Sequence, residues 1–351
     1  MSSKLEAILP KFKNLHLKQL ASLCGEKSSG KKTDLVERLV SLSQAKRPSA
    51  KDSQIVLSID LGIRNLGFSL IKPALPLRPQ SANALTVEDL RRPPQVKLYR
   101  WQRQELLEPS PDGIEDPDRY SPASLAIATD RLVRHDLLPL KPTHVLIERQ
   151  RWRSGGAAAV QEWTLRVNTL EAMLHASFRT LKELGHWDGE MVSMAPNRVT
   201  RFWPPPPMLT GKAPKKRKSQ TAKAVGKGTT RKGAKAQQNS KKHKIGVLAS
   251  WLTGKQGCNI ILPVNRTMDN AVEWFRSKLS RTRKKSSVVV DSIRDAGPQK
   301  IDDLTDCLLQ GVTWLKWEEN KATLLQEEVL TRLLEEKLLD ELEDSTLLDE
   351  T

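Results

Sequence analysis

Ile55-Val56-Leu57-Ser58-Ile59-Asp60-Leu61-Gly62-Ile63-Arg64-Asn65-Leu66-Gly67-Phe68-Ser69-Leu70-Ile71 is the stretch that decides the fold. Two apolar runs, 55–61 and 66–71, flank the turn Gly62-Ile63-Arg64-Asn65, so the stretch reads as two adjacent strands. Asp60 closes the first run. A second run, Val145-Leu146-Ile147-Glu148, also ends on an acid. Carboxylates at the ends of buried strands are costly unless something pairs with them. A third segment, Ile301-Asp302-Asp303-Leu304-Thr305-Asp306-Cys307-Leu308-Leu309, has helical spacing. Asp303 and Asp306 are three apart and share a helix face. Asp302 is four from Asp306 and can take the place of Asp303; spacing does not choose between them. Leu304, Leu308 and Leu309 anchor the opposite face. A plainer reading makes these acids a solvated first helical turn, which the helix dipole favours. For Asp302 alone the two readings weigh equally. For Asp60, Glu148, Asp303 and Asp306 together, convergence on divalent metal ions is the stronger one. The set predicts a two-metal phosphodiester-cleaving centre.

The surrounding pattern supplies the rest of a sheet. Val96 to Leu106 alternates as a third strand, with Val96, Leu98 and Trp101 apolar. Residues 122–138 and 158–184 have the apolar stripes of helices. His144–Glu148 and Met191–Met194 read as short strands. Three strands, a helix, a strand, a helix and a strand predict an α/β fold, a mixed five-stranded sheet flanked by helices. That is the order of an RNase H-like core. Residues 73–94, rich in Pro and polar side chains, read as a surface insertion. Beyond Pro204-Pro205-Pro206-Pro207 the chain changes character. Lys212 to Lys244 carries thirteen Lys or Arg and no acid. Such a segment cannot pack a core, and a disordered insertion is expected over about 205–243. Helices are expected at 268–279 and from about 298 to 317. One long amphipathic helix with an acidic outer face is expected over 322–343.

The chain of 351 residues has room for one large domain and a small one. Its formal charge of +17 points to a polyanionic partner, nucleic acid first. An aromatic content of 5% argues against a single-strand reader built on aromatic stacking. Cys24, Cys258 and Cys307 are isolated, which predicts neither structural zinc nor disulfides. No apolar run approaches the length of a membrane span, and residues 1–9 lack a secretory apolar core. Neither a membrane partner nor an organic cofactor is expected.

Three motifs carry a family resemblance. Ser58-Ile59-Asp60-Leu61-Gly62-Ile63-Arg64-Asn65, Ile147-Glu148-Arg149-Gln150-Arg151-Trp152-Arg153-Ser154 and Asp302-Asp303-Leu304-Thr305-Asp306 resemble the catalytic motifs of the fungal mitochondrial Holliday-junction resolvases. Those proteins are similar to the bacterial RuvC resolvases of the RNase H-like superfamily. The resemblance runs from about 54 to 318, with the lysine-rich segment outside it. It implies a homodimer that introduces paired, symmetric nicks across a four-way DNA junction in mitochondrial DNA recombination. Asp60, Glu148, Asp303 and Asp306, with Asp302 as an alternative ligand, would hold two Mg²⁺ ions, for which Mn²⁺ would substitute. Products would be 5′-phosphate and 3′-hydroxyl ends. Two other readings stand beside it. One is a non-catalytic DNA-binding protein with an inactive nuclease fold. The other is an RNase H-like nuclease acting on RNA or RNA–DNA hybrids. The expected location is mitochondrial. Nuclear is the alternative, since Lys215-Lys216-Arg217-Lys218 behind Pro214 resembles an import signal.

Basic residues surround the motifs. Arg149, Arg151 and Arg153 follow Glu148 and would grip phosphates. Trp152 would stack on an unpaired base or, equally, pack under the next helix. Arg64, in the turn after Asp60, is a further expected DNA contact, as are Lys241, Lys242 and Lys244. A lysine near a two-metal centre can stabilise transition-state charge; a solvated helix start is the plainer reading for each of the three. Residues 10–42 resemble a SAP-type helical module. Gly30, Lys31 and Lys32 sit where a phosphate would meet the second helix, capped by Thr33 or Ser29. The plainer reading there is a packing mini-domain. The expected division is a SAP-like module at 1–45, a linker at 46–53, the nuclease domain at 54–318 and an acidic tail at 319–351. The tail would pack through its leucines or shield the basic face. Each neutralised phosphate steepens the log–log salt dependence of binding by roughly 0.9. Deleting residues 212–240 should therefore flatten that slope in a salt titration of DNA binding; an unmoved slope rules the segment out as a contact.

Overall fold

Strand β1 (Val56–Asp60) carries two alternating sets of side chains, and they serve two different cores. The computed structural model describes residues 2–45, 54–76, 85–86, 88–107, 118–150, 161–203, 229–253, 259–280 and 301–341. Within it, β2 (Leu66–Pro73) returns antiparallel to β1, pairing Val56 with Ile71 and Asp60 with Gly67. Strand β3 (Val96–Gln104) is antiparallel to β2. Strand β4 (His144–Glu148) runs parallel to β1, and β5 (Glu190–Met194) parallel to β4. The order β5-β4-β1-β2-β3-β6 is the RNase H-like arrangement with one strand more than the five expected. That sixth strand, β6 (Ile261–Pro263), pairs parallel with β3 and spans three residues, too few to show a period. The spacing of Val96, Leu98 and Trp101 breaks strict alternation. A bulge restores it: Leu70 pairs with Arg100 and Ile71 with Leu98, so Tyr99 is the extra residue.

Leu57, Ile59, Phe68, Leu70, Val145 and Ile147 face α4 (Pro122–Arg131) and α5 (Glu162–Glu183), packing on Leu125, Leu170, Leu174 and Phe178. The opposite face, with Val56, Ile71, Leu98, Trp101 and Leu146, packs on α9 (Ile301–Leu324). Helix α9 is buried almost all round. Beside it lie α6 (Pro196–Phe202) and α7 (Thr229–Leu252), while α8 (Arg266–Ser280) packs on α7 and β3. Two glycines set how close α9 comes to the sheet. A Cβ on Gly67 would stand 2.7 Å from the Asp303 carbonyl oxygen. One on Gly311 would stand 2.9 Å from Ile71 Cδ1. Sheet side chains then fix the helix: Trp101 Nε1 donates to the Leu304 carbonyl at 2.9 Å and Ser69 Oγ to that of Cys307 at 3.2 Å. In return Gln310 Nε2 donates to Ser58 Oγ at 3.1 Å and to the Ile59 carbonyl at 3.3 Å.

The N-terminal helices α1 (Ser2–Ile8), α2 (Asn14–Leu23) and α3 (Lys32–Gln44) share the α9 core. Leu17, Leu20, Leu35 and Leu39 join one cluster with Leu308 and Leu315. Gly25 has φ +73°, and a Cβ there would meet the Trp317 ring at 2.3 Å. Asn320 donates to the Leu23 carbonyl at 2.9 Å, and Arg198 to that of Gly25 at 2.9 Å. The expected linker at 46–53 lies outside the described residues. The cap of α3 corrects the sequence reading: neither Thr33 nor Ser29 serves. Asp34 reaches back to accept from the Lys31 backbone N–H at 2.9 Å, and its charge suits a helix start.

Two other expectations change. Helix α7 begins at Thr229, so residues 229–243, read as disordered, are helical. The long helix expected over 322–343 is broken. Helix α9 runs on to Leu324, and α10 (Glu327–Glu335) follows. Lys337, in left-handed conformation at φ +53°, stops α10 before a short 3₁₀ turn, Leu338–Glu341. Val329, Leu330 and Leu333 pack inward, while Glu327 meets Lys4 at 2.9 Å and Asp340 meets His16 at 2.8 Å. The tail thus packs on the core through its apolar side chains. Among the described residues no helix is long and apolar enough to cross a membrane.

Candidate active site

The register Ile59 to Ile147 in the parallel pair β1/β4 brings Asp60 and Glu148 side by side at the carboxyl ends of their strands. Adjacent strands lie about 4.8 Å apart. Both acids share the parity of Ser58 and Leu146, which puts them on the α9 face. The first turns of α9 lie over that end, with the Asp303 backbone against Gly67, the residue paired with Asp60. Asp60 therefore meets acids from two other elements, β4 and α9. Its carboxyl is held well above the ordinary carboxylate range, first by burial and then by Glu148, Asp306 and Asp303; only Lys244 opposes. Burial also raises Asp306, and the Lys244 ammonium pulls it back.

Helix α7 supplies the counter-charges. Lys244 Nζ donates to Asp306 Oδ2 at 2.6 Å, and Lys241 Nζ to Asp302 Oδ2 at 2.6 Å. Asp302 is drawn toward Lys241, while Asp303 presses on Asp60; the helix thus separates two acids that spacing left interchangeable. With α7 beginning at Thr229, none of the three lysines stands at a helix start: Lys242 is exposed, Lys241 pairs with Asp302 and Lys244 with Asp306. Among the described residues no three His, Cys, Asp or Glu side chains converge tightly enough to hold one ion. The donor set nevertheless suits hard divalent cations, which prefer carboxylate oxygen. Asp306 Oδ1 is buried with no hydrogen-bond partner, and Asp60 lies desolvated among like charges. Both are costs that a bound cation would relieve.

The remaining expected contacts are scattered. Arg149 is exposed at the end of β4, its backbone N–H donating to Met194 at 2.8 Å. Arg64 is exposed and donates to the Tyr120 phenol. Gly30, with φ +130°, Lys31 and Lys32 are exposed at the start of α3. Arg151, Trp152 and Arg153 lie outside the described residues, as does the 215–218 run. Sequence reasoning missed the groups that position the acids: Gly67, Ser69, Trp101, Gln310 and Glu171. The last, on α5, accepts from the Gln150 backbone N–H at 3.0 Å and so holds the chain just past Glu148. Its only signal is a carboxylate beside the apolar stripe of Leu170 and Leu174.

Comparison with known proteins agrees with this geometry. A protein of Schizosaccharomyces pombe named cruciform cutting endonuclease 1, mitochondrial, is 33% identical over 160 residues, 46% of this chain. That match spans 53% of the relative, about half its length. The Saccharomyces cerevisiae protein of the same name is 24% identical over 337 residues, covering 90% of this chain and 84% of the relative. The crystal structure of the yeast mitochondrial Holliday junction resolvase Ydc2 superposes with a TM-score of 0.51 at 23% identity, covering 88% of this chain and 95% of that one; the likeness is one of fold. The family model described as mitochondrial resolvase Ydc2 / RNA splicing MRS1 matches residues 56–324, and with the acidic centre inside that span the chain belongs to this family.

Proposed function

We propose that the protein is a structure-selective endonuclease that resolves four-way DNA junctions by paired, symmetric, metal-dependent nicks, acting as a homodimer in mitochondria. The observation that carries the reading is Asp60, desolvated and hemmed in by Glu148, Asp303 and Asp306 at the open end of β1. Both curated relatives are named mitochondrial cruciform-cutting endonucleases, which supports substrate and location alike. Asp60, Glu148, Asp303 and Asp306 would hold two Mg²⁺ ions, with Mn²⁺ as a substitute. When bound, such ions activate a water and neutralise charge on the leaving 3′ oxygen. The chain's own part is positioning. Gly67 lets Asp303 approach Asp60, Glu171 holds the segment after Glu148, and Lys244 balances Asp306.

The deciding experiment is cleavage of a mobile four-way junction with Mg²⁺, comparing the unmodified protein with Asp60→Asn and Glu148→Gln. The family description also carries an RNA-splicing name. Competition between a four-way junction and an RNA–DNA hybrid of equal length separates that reading; preference for the hybrid would replace the junction as substrate. Absence of any Mg²⁺-dependent nicking would leave a DNA-binding role alone. Lys244 gives a test by a different readout. Its ammonium and a divalent ion compete for one carboxylate, so Lys244→Gln is expected to tighten Mg²⁺ binding severalfold in a calorimetric titration. Unchanged or weaker binding would remove Lys244 from competition at Asp306.

A further inference from the structure

We propose that Tyr120 organises a cluster of three guanidinium groups, those of Arg64, Arg119 and Arg166, into a binding site for the phosphodiester backbone at the turn that leaves β1. The inference rests on the nuclease reading and extends it to a contact outside the catalytic acids. Arg64 lies four residues past Asp60, in the turn that leaves β1. Its Nε and Nη2 both donate to the Tyr120 phenol oxygen, at 3.1 and 3.0 Å. Arg166, from α5, stacks on the same ring at 3.9 Å from its centroid. Arg119 approaches the ring at 5.7 Å.

Arg119 is held by Glu105 and by the Leu107 carbonyl at 3.1 Å, while Arg64 and Arg166 meet on the one neutral phenol ring, an arrangement that suits an anion shared between them. Glu105 pairs with Arg119 at 2.9 Å, and Glu162 pairs with Arg166. The Glu162 side chain is 76% exposed, a pairing that water screens and a phosphate readily displaces. Stacking and hydrogen bonding hold the guanidinium planes before any ligand arrives, so less freedom is lost on bidentate contact with phosphate. Trp163, one turn before Arg166 on α5, is 42% exposed. An aromatic ring beside a phosphate grip suits the face of a base.

The test is binding of a four-way junction by the full chain across a salt series, in an Asp60→Asn background so that the substrate survives. Arg64→Gln is expected to weaken binding roughly threefold to tenfold and to reduce the log–log salt slope by about 0.9. Tyr120→Phe keeps the ring under Arg166 but removes the acceptor that orients Arg64, and should reproduce most of that loss. The double variant should be little worse than Arg64→Gln alone, because the phenol acts through Arg64. A merely structural phenol would lower the melting temperature and leave the salt slope alone. A protein that binds and cuts junctions while Arg64→Gln and Arg166→Gln leave the slope unmoved overturns the cluster and spares the nuclease reading. A protein that binds no junction overturns both.

Discussion

Asp60→Asn is expected to abolish nicking of a four-way junction, by about 10³-fold or more, while junction affinity stays within a factor of two or so of the unmodified protein. A 10³-fold loss corresponds to about 4 kcal/mol of transition-state stabilisation, the scale of removing a charge that organises the reacting groups. Asn keeps the size of the side chain and one oxygen, so the packing of β1 against α9 survives. The anionic charge that suits a divalent ion does not. A second, opposite effect separates this explanation from simple damage. Burial and three neighbouring carboxylates raise the Asp60 carboxyl well above its ordinary value. In the window between the unfolded value of 3.8 and the raised folded one, the native state holds a proton that the unfolded chain releases. Stability therefore falls as pH rises through that window, and the buried Asp60 carboxyl is a burden once the pH has passed into it. The amide cannot ionise, so Asp60→Asn is expected to raise the melting temperature measured at pH 7 without added metal. An equal or lower melting temperature would show that Asp60 is not held against its neighbours. Full cleavage by the variant would remove it from the reaction.

The strands that carry the acids were readable because each ends an apolar run long enough to bury, and because parity along β1 sorts Leu57 and Ile59 from Ser58 and Asp60. The helical spacing of 303 and 306 was readable for the same reason. What spacing could not supply was the choice between Asp302 and Asp303, since both share a face with Asp306. The two differ in their neighbours: Lys241, from a helix 61 residues away in sequence, pairs with Asp302, while Asp303 presses on Asp60. Nor could composition show that the end of the lysine-rich run is helical. Lysine is a good helix former once something fixes the far end, and Val247, Leu248 and Trp251 fix it in the α9 core. The N-terminal helices read as a separate module because their apolar residues form a self-consistent pair of stripes. Nothing local signals that Trp317 and Asn320, nearly three hundred residues on, complete their core.

Gly67→Ala is expected to lower junction cleavage roughly a hundredfold, although Gly67 has no side chain to contribute. The added methyl would stand 2.7 Å from the Asp303 carbonyl oxygen and 3.1 Å from its carbonyl carbon. Both are backbone atoms, so no rotamer change relieves the clash; the helix itself must retreat. It cannot retreat as a whole. Trp101, Ser69 and Ser58 hold it at Leu304, Cys307 and Gln310, and Gly311 lies against Ile71. The first turn must therefore tilt away from β1, carrying Asp303 and loosening Asp306. Overpacking of this kind costs about 1–3 kcal/mol of stability. A misplacement near 1 Å costs roughly a hundredfold in rate. Gly311→Ala is the matched control. Its methyl would press on Ile71 Cδ1 at 2.9 Å, the end of a flexible side chain, and on Ser58 Cβ at 3.3 Å, about one and a half turns beyond Asp306. It should cost stability of the same order while its cleavage rate per folded molecule stays far closer to that of the unmodified protein. Junction cleavage and thermal melting on both variants decide the matter: equal rate losses at equal destabilisation would mean that the glycine contact at β2 serves packing alone, and that something other than Gly67 sets the distance between Asp60 and Asp303.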